Sequence, residues 1–546
     1  MLQLNKLAVL DAAGRQYARE SYASKSSFLV PFAVFKSVTN LLVGALADTY
    51  GRRTIAIIGW CVGLMCPTLV LSASTHGEGG WTAVVTSAAF LGVQQGMVWS
   101  CMIYAALDLC GARARGFASG LNETVGYTSI AIFAQVYGAM ERAYVECAWV
   151  DEIGDRASEC VAVGAGAGAG ASEGTGTCDR PDDWTPACLG SCVCEGYTEQ
   201  PFELQLGLML LGLVVTASVL KETLGMFFGG GDDGGDDAKE ASAFARVDDE
   251  SEEEDEGDGM THANAEAEED ETDLPRETMV EAFVRASFKD ESLRALCLAS
   301  FCANFETGMA WGLISSWARD GLLIGGRERD FFTGCYSFLK GLSQFGAGLL
   351  SDKIGRRAPI VVGLFGGAVA MLTAAFGAGF RGRLLVGSDA DGADLVTLQF
   401  GYLVLAGVLL GLFTGLMYPV QTAAAADHAP AKHSSPVIGV VRFWRDLGYA
   451  MSLPIAAVAD ASSPEAALIV VAIMMGAVSV WFGHVYEEKT PDVVGAGQRR
   501  RRRSAGGLRG GGAGNEDDGK VVEMEALSPA EKTLTRGMED DGGERV

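Results

Sequence analysis

Apolar residues dominate eleven stretches of the chain, at about 27–47, 54–74, 82–107, 115–140 and 203–222, then 292–316, 331–350, 358–380, 397–424, 437–459 and 466–486. Each is close to the roughly 20 residues that a helix needs to cross a bilayer core of about 30 Å. The pattern therefore predicts an all-α, multi-pass integral membrane protein whose main partner is the lipid bilayer. Polar stretches divide the rest: an N-terminal segment at 1–26, a first bundle at 27–225, a charged linker at 226–277, a second bundle at 278–490 and a tail at 491–546. Met1 to Ser26 is too polar to span, so the first bundle holds five spans against six in the second.

A ten-residue pattern, G-x-L-x-D-x-x-G-R-R, closes the first span as Gly44 to Arg53 (GALADTYGRR) and recurs 304 residues later as Gly348 to Arg357 (GLLSDKIGRR). A charged, glycine-bearing connector repeated between apolar spans indicates two homologous halves, a common construction for secondary transporters. The pattern resembles the signature loop of the major facilitator superfamily, which lies between the second and third helices of one half and the eighth and ninth of the other. That resemblance covers about residues 20–225 and 278–490 and implies two six-helix bundles. The first helix of the first half is then missing, and a start set too late is favoured over a true departure. No cleavable signal peptide is visible. The resemblance further implies that Asp48, Arg52 and Arg53, with Asp352, Arg356 and Arg357, hold a cytosolic gate, helped by acidic partners at Asp108 and Asp427. Gly44, Gly51, Gly348 and Gly355 would let the helices approach and turn.

Composition changes this picture little. The net charge of −27 comes mostly from Gly231 to Pro275, which holds 20 of the 69 acidic residues against Lys239 and Arg246, so the acidity belongs to a linker too polar to bury a core. Outside Arg499 to Arg503 nothing is basic enough to track phosphates, which argues against a nucleic-acid partner. That arginine run follows the last span, where it suits anionic headgroups. Arg52, Arg53, Arg113, Arg115, Lys353, Arg356 and Arg357 share its side by helix parity, as a cytosolic face requires, although Arg319, Arg327, Arg329, Arg381 and Arg383 fall opposite. Six cysteines, Cys147, Cys160, Cys178, Cys188, Cys192 and Cys194, crowd one non-cytosolic loop at 141–202 and are candidates for up to three disulfides. Cys192 and Cys194 are too close for a zinc pair and have no histidine nearby, so no metal is expected.

Charge inside the spans points to chemistry, because an ionised side chain at mid-bilayer costs at least about 2.5–3.5 kcal/mol. Lys36 and Lys340 each lie eight residues before the glycine that opens their loop motif, so they are repeat-equivalent. Glu123 (GLNETVGY) and Asp446 (VVRFWRDLGY) sit in segments related by Gly126-Tyr127 and Gly448-Tyr449. In the family's fold the second helix packs on the eleventh and the fifth on the eighth, which predicts two near-symmetric buried pairs, Lys36 with Asp446 and Lys340 with Glu123. Such pairs can be purely structural, can contact substrate or can carry a proton. Arg442, Arg445, Asp446 and Tyr449 share one helical face, and two arginines there favour an anionic solute. Asn304, Thr307, Gly308 and Trp311 form another stripe, with Glu306 turned away as a second titratable site. Gln94, Gln95 and Trp99, with Asn122 beside Glu123, are further candidates for ligand contacts.

Marks of two subfamilies are absent. GLNETVGYTS lacks the proline of the drug-proton antiporters' G-P-x-x-G-G stretch, and VLKETLG and VYEEKTP match sugar-porter ends only faintly. The expectation is a monomeric transporter of a small organic solute, anionic by the arginine argument, working by alternating access with protons as coupling ion and no cofactor. Uncoupled facilitated diffusion, or a non-transporting sensor or scaffold on the same fold, are the alternatives. An enzyme is disfavoured: His76, His262, His428, His433 and His484 lie in loops, the linker or a helix end, and there is no nucleotide-binding P-loop.

Overall fold

The computed structural model describes residues 21–72, 78–110, 114–144, 148–151, 190–193, 199–221, 223, 278–322, 324–380, 392–429 and 434–490. In the first half the helices are α1 (Tyr22–Tyr50), α2 (Arg52–Ser72), α3 (Glu78–Cys110), α4 (Arg115–Tyr144) and α5 (Gln200–Val219). The second half has a short α6 (Met279–Val284), then α7 (291–320), α8 (Gly326–Ile354), α9 (Arg357–Thr373), α10 (Gly392–Asp427), α11 (434–461) and α12 (Pro464–Val485). These helices make the all-α architecture expected of a multi-pass membrane protein.

One element departs from all-α. β1 (Ala148–Asp151) and β2 (Gly190–Val193) pair antiparallel, with Ala148 opposite Val193 and Trp149 opposite Cys192. Four-residue strands leave too little periodicity to be read from the chain. The disulfide expectation for Cys147, Cys160, Cys178, Cys188 and Cys194, and for the side chain of Cys192, lies outside the described residues, as do the acidic linker and the Arg499 to Arg503 run.

Among the described residues seven helices are long and apolar enough to cross a membrane by themselves: α1, α2, α3, α5, α9, α10 and α12. Four other long helices, α4, α7, α8 and α11, fall short of that standard, and they carry Glu123, Glu306, Lys340, Arg442, Arg445 and Asp446. Packing explains the split. α4 lies along α8 and α1 along α11, while α7 packs on α11, so these helices meet one another and face protein on their polar sides. A helix face that meets lipid must stay apolar.

The loop motif's glycines do two physical jobs. Gly51 and Gly355 adopt φ of 90° and 93°, an extended left-handed backbone that costs other residues about 1–3 kcal/mol. Gly44 and Gly348 instead allow close approach. A Cβ on Gly44 would stand 2.8 Å from the Ser435 carbonyl oxygen, and one on Gly348 3.0 Å from the Cα of Gly120. Both contacts cross between the halves, so the motif's first glycine sets how near the halves can come.

Helix starts in the second half are capped as their sequences dictate. Thr278 and Glu281 form a reciprocal capping box at α6, and the two Thr278 hydrogen bonds hold the Glu281 carboxyl below its ordinary range. Asp290 accepts from the Leu293 N–H at 2.9 Å to start α7.

Candidate functional site

The two loop motifs form matching polar bridges on one face of the molecule. In the first, Arg52 reaches Asp48 at 2.5 Å and Asp108 at 3.3 Å, and the Ser435 hydroxyl at the start of α11 donates to Asp48 at 3.0 Å. In the second, Arg356 reaches Asp352 at 2.7 Å and Asp427 at 2.8 Å, while Asp352 accepts from the backbone N–H groups of Gly116 and Phe117, each at 2.9 Å. Both aspartates therefore sit at the N-terminal end of a helix from the opposite half, where unpaired N–H groups and the helix dipole favour a carboxylate. Arg115 adds a further link to Asp427 at 3.1 Å. Burial pushes the His428 imidazole down from its ordinary value, so at neutral pH it adds no charge beside this chain. Of the second arginines of the motif, Arg53 donates to the Ala217 carbonyl at 2.5 Å, and the Arg357 N–H donates to Glu488 at 3.0 Å.

The opposite face is bridged too. Lys25 of α1 meets Asp320 of α7 at 2.7 Å, and the N–H groups of Tyr22 and Ala23 donate to Asp460 of α11 at 2.8 and 3.0 Å. Gln135 of α4 donates to the Asp330 carbonyl of α8 at 2.7 Å. Both ends of the junction are thus closed over a buried centre.

In that centre Asp446 joins three helices. It is fully buried, lies 3.3 Å from the Lys36 ammonium, accepts from Asn304 at 2.6 Å and also accepts from Asn40. Ser100 in turn donates to Asn40 at 2.8 Å. The Lys36 to Asp446 pair is the one implied by packing the second helix on the eleventh. Phe32 and Tyr449 hold the same ammonium at 5.3 and 5.4 Å from their ring centres, and Trp311 stacks on Tyr449 at 5.7 Å.

The expected partner pair does not form. Lys340 makes no ion pair with Glu123; it donates to Thr307 at 3.0 Å and Tyr336 at 3.4 Å, and its ammonium lies 4.2 Å and 4.4 Å from the ring centres of Tyr127 and Tyr418. Glu123 instead accepts from the Trp99 indole at 3.1 Å and approaches Arg445 at 4.0 Å. The register explains this. Aligning Gly126-Tyr127 on Gly448-Tyr449 puts Thr124, not Glu123, at the position of Asp446, and one residue turns a side chain by about 100° round a helix. The aromatic half of the symmetry survives, since Phe32 and Tyr336 both stand four residues before their lysine and Tyr449 and Tyr127 both come from the facing helix.

Arg442 and Glu306, like Lys340, lack a charged counterpart in ion-pair range among the described residues. Arg442 is about 1% exposed, its Nε and Nη1 have no hydrogen-bond partner, and it joins no ion pair among the described residues. Glu306 is fully buried and has no cation in ion-pair range among the described residues. Its Oε1 touches the Thr414 hydroxyl and its Oε2 is unpartnered. Arg445 lies 4.2 Å over the Tyr418 ring and donates to Thr422 at 3.4 Å.

Two expected contacts lie elsewhere. Gln94 packs on Gly63 of α2, within the first half, because its position on α3 turns it from the junction. Asn122 is half-buried and makes no hydrogen bond among the described residues. Conversely Asn40, Tyr127, Tyr336, Thr414 and Tyr418 belong to the cluster, and only the Gly-Tyr repeat hinted at one of them. A groove lined by Thr397, Leu398, Gly401, Tyr402 and Leu405 lies along α10, away from all of this charge.

Comparison with known proteins accords with this architecture. The family model described as Major Facilitator Superfamily matches residues 17–140 and 296–522, more than half of the chain. Among solved structures, the chain is similar to the proton:xylose symporter XylE bound to 6-bromo-6-deoxy-D-glucose, with 11% identity, 89% of this chain and 91% of that chain covered, and a TM-score of 0.53. It is also similar to the human organic anion transporter MFSD10 (TETRAN), at 14% identity, 84% of each chain and a TM-score of 0.46. No curated protein sequence matches it. With its doubled loop motif, its junction of facing helices and a family match spanning both halves, the chain belongs to the Major Facilitator Superfamily and is a secondary transporter of the membrane.

Proposed function

We propose that the protein carries a small organic anion across the membrane by alternating access, coupled to protons. The observation that carries this reading is the excess of buried cations at the junction. Lys36, Lys340, Arg442 and Arg445 outnumber Asp446, Glu123 and Glu306, and Arg442 joins no ion pair among the described residues, with its Nε and Nη1 unpartnered. A buried guanidinium without a counterion is unfavourable unless a ligand supplies one, and its planar fork suits a carboxylate.

Protons enter through Glu306. The Thr414 hydroxyl contacts both the Leu410 carbonyl oxygen, at 2.5 Å, and the Glu306 carboxyl. A hydroxyl has one hydrogen to give. If it goes to Leu410, as is usual for threonine within a helix, the second contact is favourable only when Glu306 carries a proton of its own. A neutral carboxylic acid also fits a site with no cation in range.

The two motif bridges on one face, and the Lys25, Asp320 and Asp460 contacts on the other, act as the alternating gates, both shut in this conformation. Asp352→Asn is expected to loosen the motif face by weakening its bonds to the start of α4. Maleimide labelling of Cys110, a half-buried thiol near Asp352, should then quicken in a variant whose other cysteines are replaced. Unchanged labelling would remove Asp352 from the gate.

The reading as a whole is tested with purified full-length chain in proteoliposomes, offering mono- and dicarboxylates, organic sulfonates, neutral polyols and organic ammonium ions under imposed pH gradients. Saturable uptake of anions alone, enhanced by the pH gradient, is expected. Uptake of neutral or cationic solutes in preference to anions would overturn it.

A further inference from the structure

Lys340 is held in a way that its repeat-equivalent is not. Lys36 has a carboxylate at 3.3 Å as well as two rings; Lys340 has no carboxylate in ion-pair range among the described residues and three tyrosine rings, with Tyr127 at 4.2 Å, Tyr418 at 4.4 Å and Tyr336 at 5.6 Å from the ammonium. Tyr127 and Tyr418 meet edge to face with centres 5.8 Å apart, forming a corner around the cation. The rings come from α4, α8 and α10, so the cage spans both halves. Its polar lining is the Thr307 and Tyr336 hydroxyls, both able to accept from an ammonium. Ring faces clustered round a positive nitrogen are also how proteins recognise organic ammonium ligands.

We propose that the Tyr127, Tyr336 and Tyr418 cage is a binding site for an alkylammonium group that Lys340 occupies as a tethered ligand, making Lys340 the residue that sets the charge class of the transported solute. With the lysine in place, the cage holds a fixed positive charge without a carboxylate to neutralise it, and a second organic cation is excluded both by space and by repulsion from Lys340 and Arg445. Truncating Lys340 empties the cage but leaves its rings and hydroxyls. The substitution removes one positive charge from the junction, which an incoming primary ammonium restores. The consequence for solute charge rests on the anion reading above; occupation of the cage by an ammonium does not.

The experiment uses full-length Lys340→Ala in detergent, with n-propylammonium as probe because it supplies the three carbons and the nitrogen that the substitution removes. A saturable rise in the melting midpoint is expected with propylammonium, none with n-propanol, and none for the parent or for Lys340→Arg. Adding Tyr127→Leu to Lys340→Ala should abolish the response. An equal response to propanol would reduce the cage to an apolar hole, and a cooperative melt indifferent to both compounds would equally overturn the proposal. If Lys340→Ala is not recovered folded, it is extracted again in propylammonium alongside a Lys340→Ser variant. Recovery with the ion and not with propanol supports the cage, whereas recovery of neither variant in either compound refutes it. Transport is read separately: in proteoliposomes the Lys340→Ala variant should gain propylammonium uptake that the parent lacks. An ammonium that binds without being carried would keep the cage and refute only Lys340's role in selecting solute charge.

Discussion

Arg442→Gln is expected to lower anion uptake, as kcat/KM, by about tenfold to a hundredfold while leaving the protein at least as stable as the parent. The rate estimate follows from the loss of a charged hydrogen bond worth about 1.5–3 kcal/mol, with each 1.4 kcal/mol worth a factor of ten. The stability estimate follows from what Arg442 touches. Its Nε and Nη1 have no hydrogen-bond partners, and without it Asp446 keeps Lys36, Asn40 and Asn304, so removing the charge orphans no hydrogen-bonding group. Lys36→Met makes the contrast. It strips Asp446 of its closest ammonium and leaves the carboxylate with amide donors from Asn40 and Asn304, which should destabilise the fold by about 3–5 kcal/mol. Thermal unfolding and initial uptake rates on both variants separate a binding cation from a structural one. Arg442→Lys keeps the charge but not the fork, and should recover only part of the uptake. An Arg442→Gln variant that transports like the parent, or one that fails to fold, would sink the assignment.

How much of this was legible in the chain depends on whether a residue belongs to a repeat. Gly44, Asp48, Gly51 and Arg52, with their copies at Gly348, Asp352, Gly355 and Arg356, announce themselves because the same spacing occurs twice, and the structure gives each pair equivalent surroundings. Lys36 meets Asp446 because a repeat position and a helix pairing together fix both ends of the contact. The same logic misplaces Lys340, since a one-residue offset at Glu123 is invisible until α4 and α8 are set side by side. Lys25, Asp320 and Asp460 carry no signal at all, because a charge at a helix end is the commonest place for one and only the tertiary fold brings these three together. The tyrosine cage is illegible for a similar reason. Its rings come from three helices with no shared spacing, and an aromatic residue within a span is more often packing than recognition.

Glu306→Gln is expected to separate movement of solute from movement of protons. Glutamine is the neutral, near-isosteric substitute for a protonated glutamate, and its amide can donate to the Thr414 oxygen while that hydroxyl donates to Leu410, so the hydrogen-bond chain is satisfied without a titrating group. No ion pair is lost, because no cation lies in range of Glu306 among the described residues. Fold and substrate contacts should survive, and solute exchange across the membrane should continue at a rate close to the parent's. What should vanish is accumulation driven by a pH gradient, along with acidification or alkalinisation of the liposome lumen during uptake. The measurement is paired: counterflow of labelled solute at equal pH on both sides, and concentrative uptake under an imposed pH gradient. Loss of both would make Glu306 a structural or binding residue. Retention of both would move the proton to another group, with Glu123 next in order because its Oε2 is buried and unpartnered and Arg445 stands at the edge of ion-pair range. The expected pattern, exchange without accumulation, is one that neither a folding defect nor a binding defect produces, so it isolates coupling from every other role the junction's charges play.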